Sequence, residues 1–144
     1  ERPGYKGKIF KVIKFKTMTD ERDAEGNLLP DEQRMTKIGR FVRSTSLDEL
    51  PQLLNILTGS LHIVSYRPSL YNQTDLIRER DRCGLHQLRP GLTGWAQVNG
   101  YRGDTSITKR IEHDLYYIEN WSLGFDFKIM FLTIFKGFIN KNAY

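Results

Sequence analysis

The sequence carries a single cysteine among its 144 residues. One thiol cannot close an internal disulfide, which excludes a disulfide-stapled secreted mini-protein. No run of ~18 or more uncharged apolar residues occurs, so no stretch reads as a bilayer-spanning helix. No signal-peptide pattern is present. The chain also lacks GxxxxGK[ST], GxGxxG and HExxH, which leaves P-loop, dinucleotide-binding and zinc readings unsupported. Its three histidines, His62, His86 and His113, are scattered and read as structural or surface residues. Cys83 reads as a small packed side chain.

A hydrophobic content of 39% with 12% aromatics is too high for a disordered chain. At this length the expectation is one domain over residues 1–144 with one core, since ~150 residues can bury roughly two-thirds of the unfolded surface. The opening Glu1-Arg2-Pro3-Gly4 has no initiator Met and falls in a turn, so the chain is expected to be part of a longer protein. The net charge of +5 suits nucleic acid, an anionic membrane surface or a phosphorylated substrate equally well.

Along the chain, Lys8 to Lys16 reads as a strand and Thr17 to Asp31 as a solvated loop. Between Glu32 and Val42, the apolar Met35, Ile38, Phe41 and Val42 fall at helical spacing. Arg34, Lys37, Arg40 and Arg43 recur every third residue on another face. Leu47, Leu50, Leu53, Leu54 and Leu57 form the most regular apolar stripe, ended by Gly59. A short extended run, Leu61 to Val64, precedes a charged helix over about Asn72 to Arg82 that Gly84 closes. Arg89 to Gly103 reads as an ordered, turning loop, and Ile107, Ile111, Leu115 and Ile118 mark a further amphipathic helix. Phe125 to Ile139 is apolar around most of its circumference and must be buried or lie in a membrane interface.

The stretch Ser44 to Gln52 carries the chemistry. Ser46 and Glu49 fit a capping box, which would account for the acid structurally. Pro51 favours a helix start nearer Asp48, because a proline is tolerated only where no intrahelical amide is needed. Asp48 and Glu49 then stand together at a helix N-terminus, where free amides and the dipole also attract phosphate. An Asp can act as a covalent nucleophile towards phosphorus, and its neighbour can hold Mg²⁺ or manage protons. Arg43 before the pair and Arg67 after the helix could clamp a diphosphate by forked hydrogen bonds.

The segment TSLDELPQLLNILTGSLHIVSYRPSL, residues 45 to 70, resembles the signature of the bacterial sugar transferases, monotopic membrane phosphoglycosyl transferases. Arg2-Pro3-Gly4, Gly7-Lys8, Lys14 to Met18, Gly39-Arg40 and Arg89 to Gly100 are similar to further family motifs in the same order. Asn99 to Asp104 and the ending Phe135 to Tyr144 resemble the colanic-acid-type glucose-1-phosphate transferases, larger proteins with this domain at the C-terminus.

The resemblance implies an α+β fold, mostly helical and irregular, with a small β-sheet and amphipathic helices resting on the cytoplasmic face of the bacterial membrane. It implies attack of Asp48 on the β-phosphate of a UDP-sugar, with UDP-glucose favoured, release of UMP, and transfer of the phosphosugar to polyprenyl phosphate. Glu49 would carry Mg²⁺, and Lys14, Arg43, Arg67 and Arg102 would hold phosphate or support the site. The chain departs from the family pattern at Ser60 and at Ser65-Tyr66, which replace an acid and a Gly-Pro turn. The departures leave Arg67 and the dyad in place. A rival expectation is a catalytically impaired module that binds anionic lipid or polymer through Arg34, Lys37, Arg40 and Arg43. Nucleic acid is not an expected partner, since no stacking aromatics interleave the cations.

Overall fold

A computed structural model describes residues 1–103 and 105–139, with side chains through residue 135. Asp104, the ending at 140–144 and the side chains of 136–139, which belong to motifs quoted above, lie outside the described residues. The elements are β1 (Arg2–Pro3), β2 (Ile9–Phe10), α1 (Asp31–Arg34), α2 (Lys37–Ser44), α3 (Gln52–Leu57), β3 (His62–Val64), α4 (Thr74–Arg82), β4 (Gly91–Thr93), α5 (Trp95–Val98), α6 (Ile107–Glu119) and α7 (Leu123–Ile139). The fold is mostly helical, and in place of one small sheet it has two two-stranded ones, β1–β2 antiparallel and β3–β4 parallel.

The expected strand from Lys8 to Lys16 is paired only at Ile9 and Phe10. Beyond them the chain is held by contacts to the 48–55 segment rather than by strand pairing. Asn55 Oδ1 accepts from Ile13 N at 3.1 Å, Asn55 Nδ2 donates to the Lys11 carbonyl at 2.9 Å, and Phe15 N donates to the Asp48 carbonyl at 3.0 Å.

The helix expected from Glu32 to Val42 is broken at Met35 and Thr36. Met35 forms an isolated β-bridge with Met18, and the Thr36 hydroxyl caps α2 by accepting from Gly39 N at 2.8 Å. Arg34 therefore sits on α1, with its guanidinium on the Leu29 carbonyl and Asp31. The four cations do not form one continuous face.

The leucine stripe is found, but it points outward. Leu50, Leu53, Leu54 and Leu57 are 50%, 50%, 53% and 82% exposed, whereas Gln52 and Asn55 on the opposite face are buried. The inward amide of Asn55 binds the Lys11–Ile13 backbone and so fixes which face turns in. The start of this helix also differs from expectation. Leu47–Glu49 form a 3₁₀ turn, Pro51 precedes the first α-helical residue, and Ser46 makes no capping bond. Gly59 ends the helix with φ +76°, a conformation that costs glycine little.

The core is built where β3, α5, α6 and α7 meet, around Val64, Val98, Tyr117 and Ile129, with a second cluster of Leu76, Leu85 and Ile111 between α4 and α6. Glycines allow the 89–103 segment to lie against β3. A Cβ on Gly91 would stand 2.3 Å from Ser65 N, and one on Gly94 would stand 2.1 Å from the Ser65 carbonyl oxygen. Helix α7 buries Ile129, while Phe127, Phe131, Ile134 and Phe135 remain exposed. Among the described residues no helix is long and apolar enough to cross a membrane. Cys83 is exposed rather than packed, because it lies at the C-terminal cap of α4.

Candidate functional site

Ser46 adopts the left-handed region (φ 57°), which for a residue with a Cβ costs on the order of 1–3 kcal/mol. That kink turns the 3₁₀ turn so that Asp48 faces inward, only 4% exposed. Its Oδ2 lies 3.6 Å from Lys14 Nζ, and among the described residues its Oδ1 has no hydrogen-bond donor. Lys14 reaches this position because the 11–15 segment is tied to the Asp48 carbonyl and to Asn55 on either side of it.

Glu49 is engaged differently. Lys14 Nζ donates to its Oε1 at 2.8 Å, and Arg67 holds both carboxylate oxygens, with Nη1 at 3.1 Å from Oε2 and Nη2 on Oε1. Burial alone would raise the Glu49 pKa, but Arg67 and then Lys14 outweigh it and bring it down to about 2. The folded protein therefore binds fewer protons at Glu49 than the unfolded chain does. Its contribution to stability is complete above the unfolded value near 4.5 and is lost as pH falls towards about 2. In acid denaturation curves, Glu49→Gln is expected to flatten the loss of stability across that window and to leave its slope near pH 7 unchanged.

Arg67 Nη1 is aimed further by the Leu92 carbonyl at 3.2 Å and Gln97 Oε1 at 3.3 Å. The Arg67 carbonyl accepts from Arg80 at 2.8 Å. The two departures from the family pattern are absorbed by the fold. Tyr66 is buried with its hydroxyl on the Leu88 carbonyl and its ring beneath Arg80. Ser65 N donates to the Thr93 carbonyl, and the Ser60 hydroxyl meets that of Thr58 at 3.0 Å.

A cleft of about 630 Å³ opens above Asp48 and is lined by six cations, Arg2, Lys14, Arg43, Arg67, Arg102 and Arg110. The structure thus brings Lys14, Arg43, Arg67 and Arg102 together over the dyad. It adds Arg2 and Arg110, which the sequence reading did not select. Arg2 is half-buried, and burial followed by the nearby charge of Arg67 lowers its pKa. Arg110 is buried on α6 and donates to the Gly103 carbonyl at 2.9 Å. Its signal in the sequence is a charge on the inward stripe of α6, between Ile107 and Ile111.

Cations crowded round a buried acid repel one another, and an anion with several oxygens relieves that repulsion. Asp48 and Glu49 offer hard oxygen donors of the kind Mg²⁺ takes, while no cluster of three or more acids, histidines or cysteines arranged for a metal ion is found among the described residues.

A cationic cleft floored by one carboxylate oxygen without a donor has the charge and donors that a phosphorylated ligand needs. The chain belongs to the bacterial sugar transferase family, whose model matches residues 1–140. It is 51% identical over 140 residues to an uncharacterized sugar transferase, EpsL, of Bacillus subtilis, spanning 97% of this chain and 68% of that protein. It is 46% identical over 151 residues to the UDP-glucose:undecaprenyl-phosphate glucose-1-phosphate transferase of Escherichia coli, and covers 99% of this chain but 32% of that relative. The exopolysaccharide production protein ExoY of Sinorhizobium fredii is 36% identical over 160 residues, 99% of this chain and 70% of that protein. The chain thus spans about a third of the Escherichia coli relative.

Proposed function

We propose that this chain transfers a sugar 1-phosphate from a UDP-sugar to undecaprenyl phosphate, the step that begins exopolysaccharide assembly. The observation that carries this reading is Asp48 Oδ1, a buried carboxylate oxygen with no donor, at the floor of a cleft lined with cations. That oxygen attacks the β-phosphorus, the bond from phosphorus to the bridging oxygen breaks, and UMP departs with the electron pair. A phosphate oxygen of the acceptor then attacks the same phosphorus, and the bond to Asp48 breaks to regenerate the carboxylate.

Lys14, Arg43, Arg67 and Arg102 neutralise the diphosphate and align it. Glu49 anchors Lys14 and Arg67 before substrate arrives. It is also the ligand we assign to a Mg²⁺ ion accompanying the donor, since Mg²⁺ is usually held by one or two carboxylates with substrate phosphates. When bound, Mg²⁺ would offset phosphate charge. Lys14 and Arg67 would exchange Glu49 for phosphate oxygens.

UDP-glucose is the donor we favour, because the Escherichia coli relative carries that donor in its name. We place the enzyme at the cytoplasmic membrane face, with the outward leucines of α3 and the exposed phenylalanines of α7 against lipid.

The test is UMP release by the full-length protein in lipid, with Mg²⁺, undecaprenyl phosphate and a panel of UDP-sugars. A single acceptor-independent burst of UMP from UDP-glucose, followed by sustained release only when undecaprenyl phosphate is present, is the expected result. A folded preparation that releases no UMP from any sugar would overturn the proposal.

A further inference from the structure

A second cavity lies on the other side of the dyad. It is about 330 Å³, near the lower end of the ~300–1,000 Å³ typical of ligand sites, and its walls include Leu47, Leu50, Leu53, Ile63, Met130 and Ile134. Asp48 lines the cationic cleft, Glu49 lines the apolar cavity, and Arg102 lines both. The dyad therefore forms the partition between a charged chamber and an apolar one, with a guanidinium at their junction.

Water gains little from such a chamber, and a UDP-sugar has no apolar part to fill it. A molecule with a phosphate at one end and a branched hydrocarbon chain at the other matches both chambers at once. The apolar cavity also runs into exposed hydrocarbon. Leu50, Leu53, Ile63 and Ile134 are each at least half exposed, and Leu57, Phe131 and Phe135 continue the same kind of surface along α3 and α7.

We propose that the groove between the 47–53 segment, β3 and α7 holds the phosphate-proximal part of the acceptor's isoprenoid chain, with its phosphate at Arg102. This inference rests on the function proposed above and adds to it the route of the acceptor. The donor's diphosphate occupies the cationic cleft, and because each displacement at phosphorus is in line, the acceptor's phosphate takes up the position that UMP vacates there while its hydrocarbon chain stays in the apolar chamber. Arg102, which lines both chambers, stands where the acceptor's phosphate and chain meet. The hydrocarbon is drawn in by burial, and branched chains suit the leucine-lined walls.

The experiment separates the two half-reactions in the full-length protein in lipid nanodiscs. UMP formed from UDP-glucose without acceptor reports attack by Asp48, and the KM for undecaprenyl phosphate reports the groove. Leu53→Trp and Met130→Trp fill the cavity from opposite walls. Excluding about two methylene groups of acceptor is expected to raise KM by roughly tenfold, with the acceptor-independent UMP burst retained.

Leu57→Trp, on the same helix but outside the groove, controls for bilayer contact and is expected to leave KM near its starting value. A KM unchanged in both filling variants, with the burst intact, overturns the groove assignment. So does an equal rise in Leu57→Trp, which would make the effect one of membrane docking. Absence of the burst in the unaltered protein would instead defeat the proposed function, so the two failures are distinguishable.

Discussion

Replacing Asp48 by Asn is expected to abolish UMP release, by at least about 10³-fold, the scale on which loss of a covalent nucleophile is felt. The substitution keeps the shape of the side chain and removes its charge. It also replaces one acceptor oxygen by an amide that cannot attack phosphorus. Lys14 would keep its bond to Glu49, because that contact at 2.8 Å is much shorter than its 3.6 Å approach to Asp48.

The fold should therefore survive, and stability separates this outcome from a trivial one. In the native protein Asp48 Oδ1 is buried without a donor, and leaving such a group unpaired costs roughly 1–3 kcal/mol. Removing the charge relieves part of that penalty. The variant should unfold at the same temperature as the native protein or a higher one, with its activity gone. A variant that loses activity and stability together would mean that Asp48 serves the fold. A variant that still releases UMP at the native rate would remove it from the chemistry.

Much of the chain's organisation was legible, because periodicity reports where a helix is amphipathic. Helix α6 falls where its apolar spacing placed it, α4 lies in the charged stretch that Gly84 closes, α7 covers the most apolar stretch, and the parallel pairing of β3 with β4 uses the short apolar run before Arg67. Periodicity could not report which face of α3 turns inward. That was decided by Asn55, whose amide has two backbone partners more than 40 residues away in sequence.

The same limit explains the site. Asp48 and Glu49 lie at a helix start and Arg67 follows that helix in the same stretch of sequence, so local rules reached them. Lys14 arrives on a segment held by long-range bonds to Asn55 and the Asp48 carbonyl, and only the resemblance to a family pointed to it. Arg2 and Arg110 lie 108 positions apart in the sequence. Arg110 left one trace, a charge on a buried stripe, and Asp114 left the same trace one turn later.

That second trace leads to the largest expected effect on stability. Arg80 and Asp114 are both 1% exposed in their side chains and are joined at 2.7 Å. Arg80 also donates to the Arg67 carbonyl at 2.8 Å and lies 4.8 Å from the centre of the Tyr66 ring. Arg80→Leu would strand Asp114 in the interior. Breaking a buried pair in this way costs about 3–5 kcal/mol, far more than the pair itself contributes.

Burial raises the Asp114 pKa, and Arg80 opposes that rise. With Arg80 gone, the folded protein would hold a proton on Asp114 that the unfolded chain releases at about pH 4. The penalty should consequently grow as pH rises above that value and shrink below it, which urea denaturation at several pH values would read directly. Replacing Asp114 by Leu as well should recover most of the stability, because an apolar pair of similar volume often equals a buried ion pair. Activity should not recover with it. The Arg67 backbone would still lack its anchor, and the guanidinium that Glu49 holds over the cleft would be placed less exactingly. If the double variant regained both stability and native kcat/KM, Arg80 would serve the core alone and would have no part in positioning Arg67.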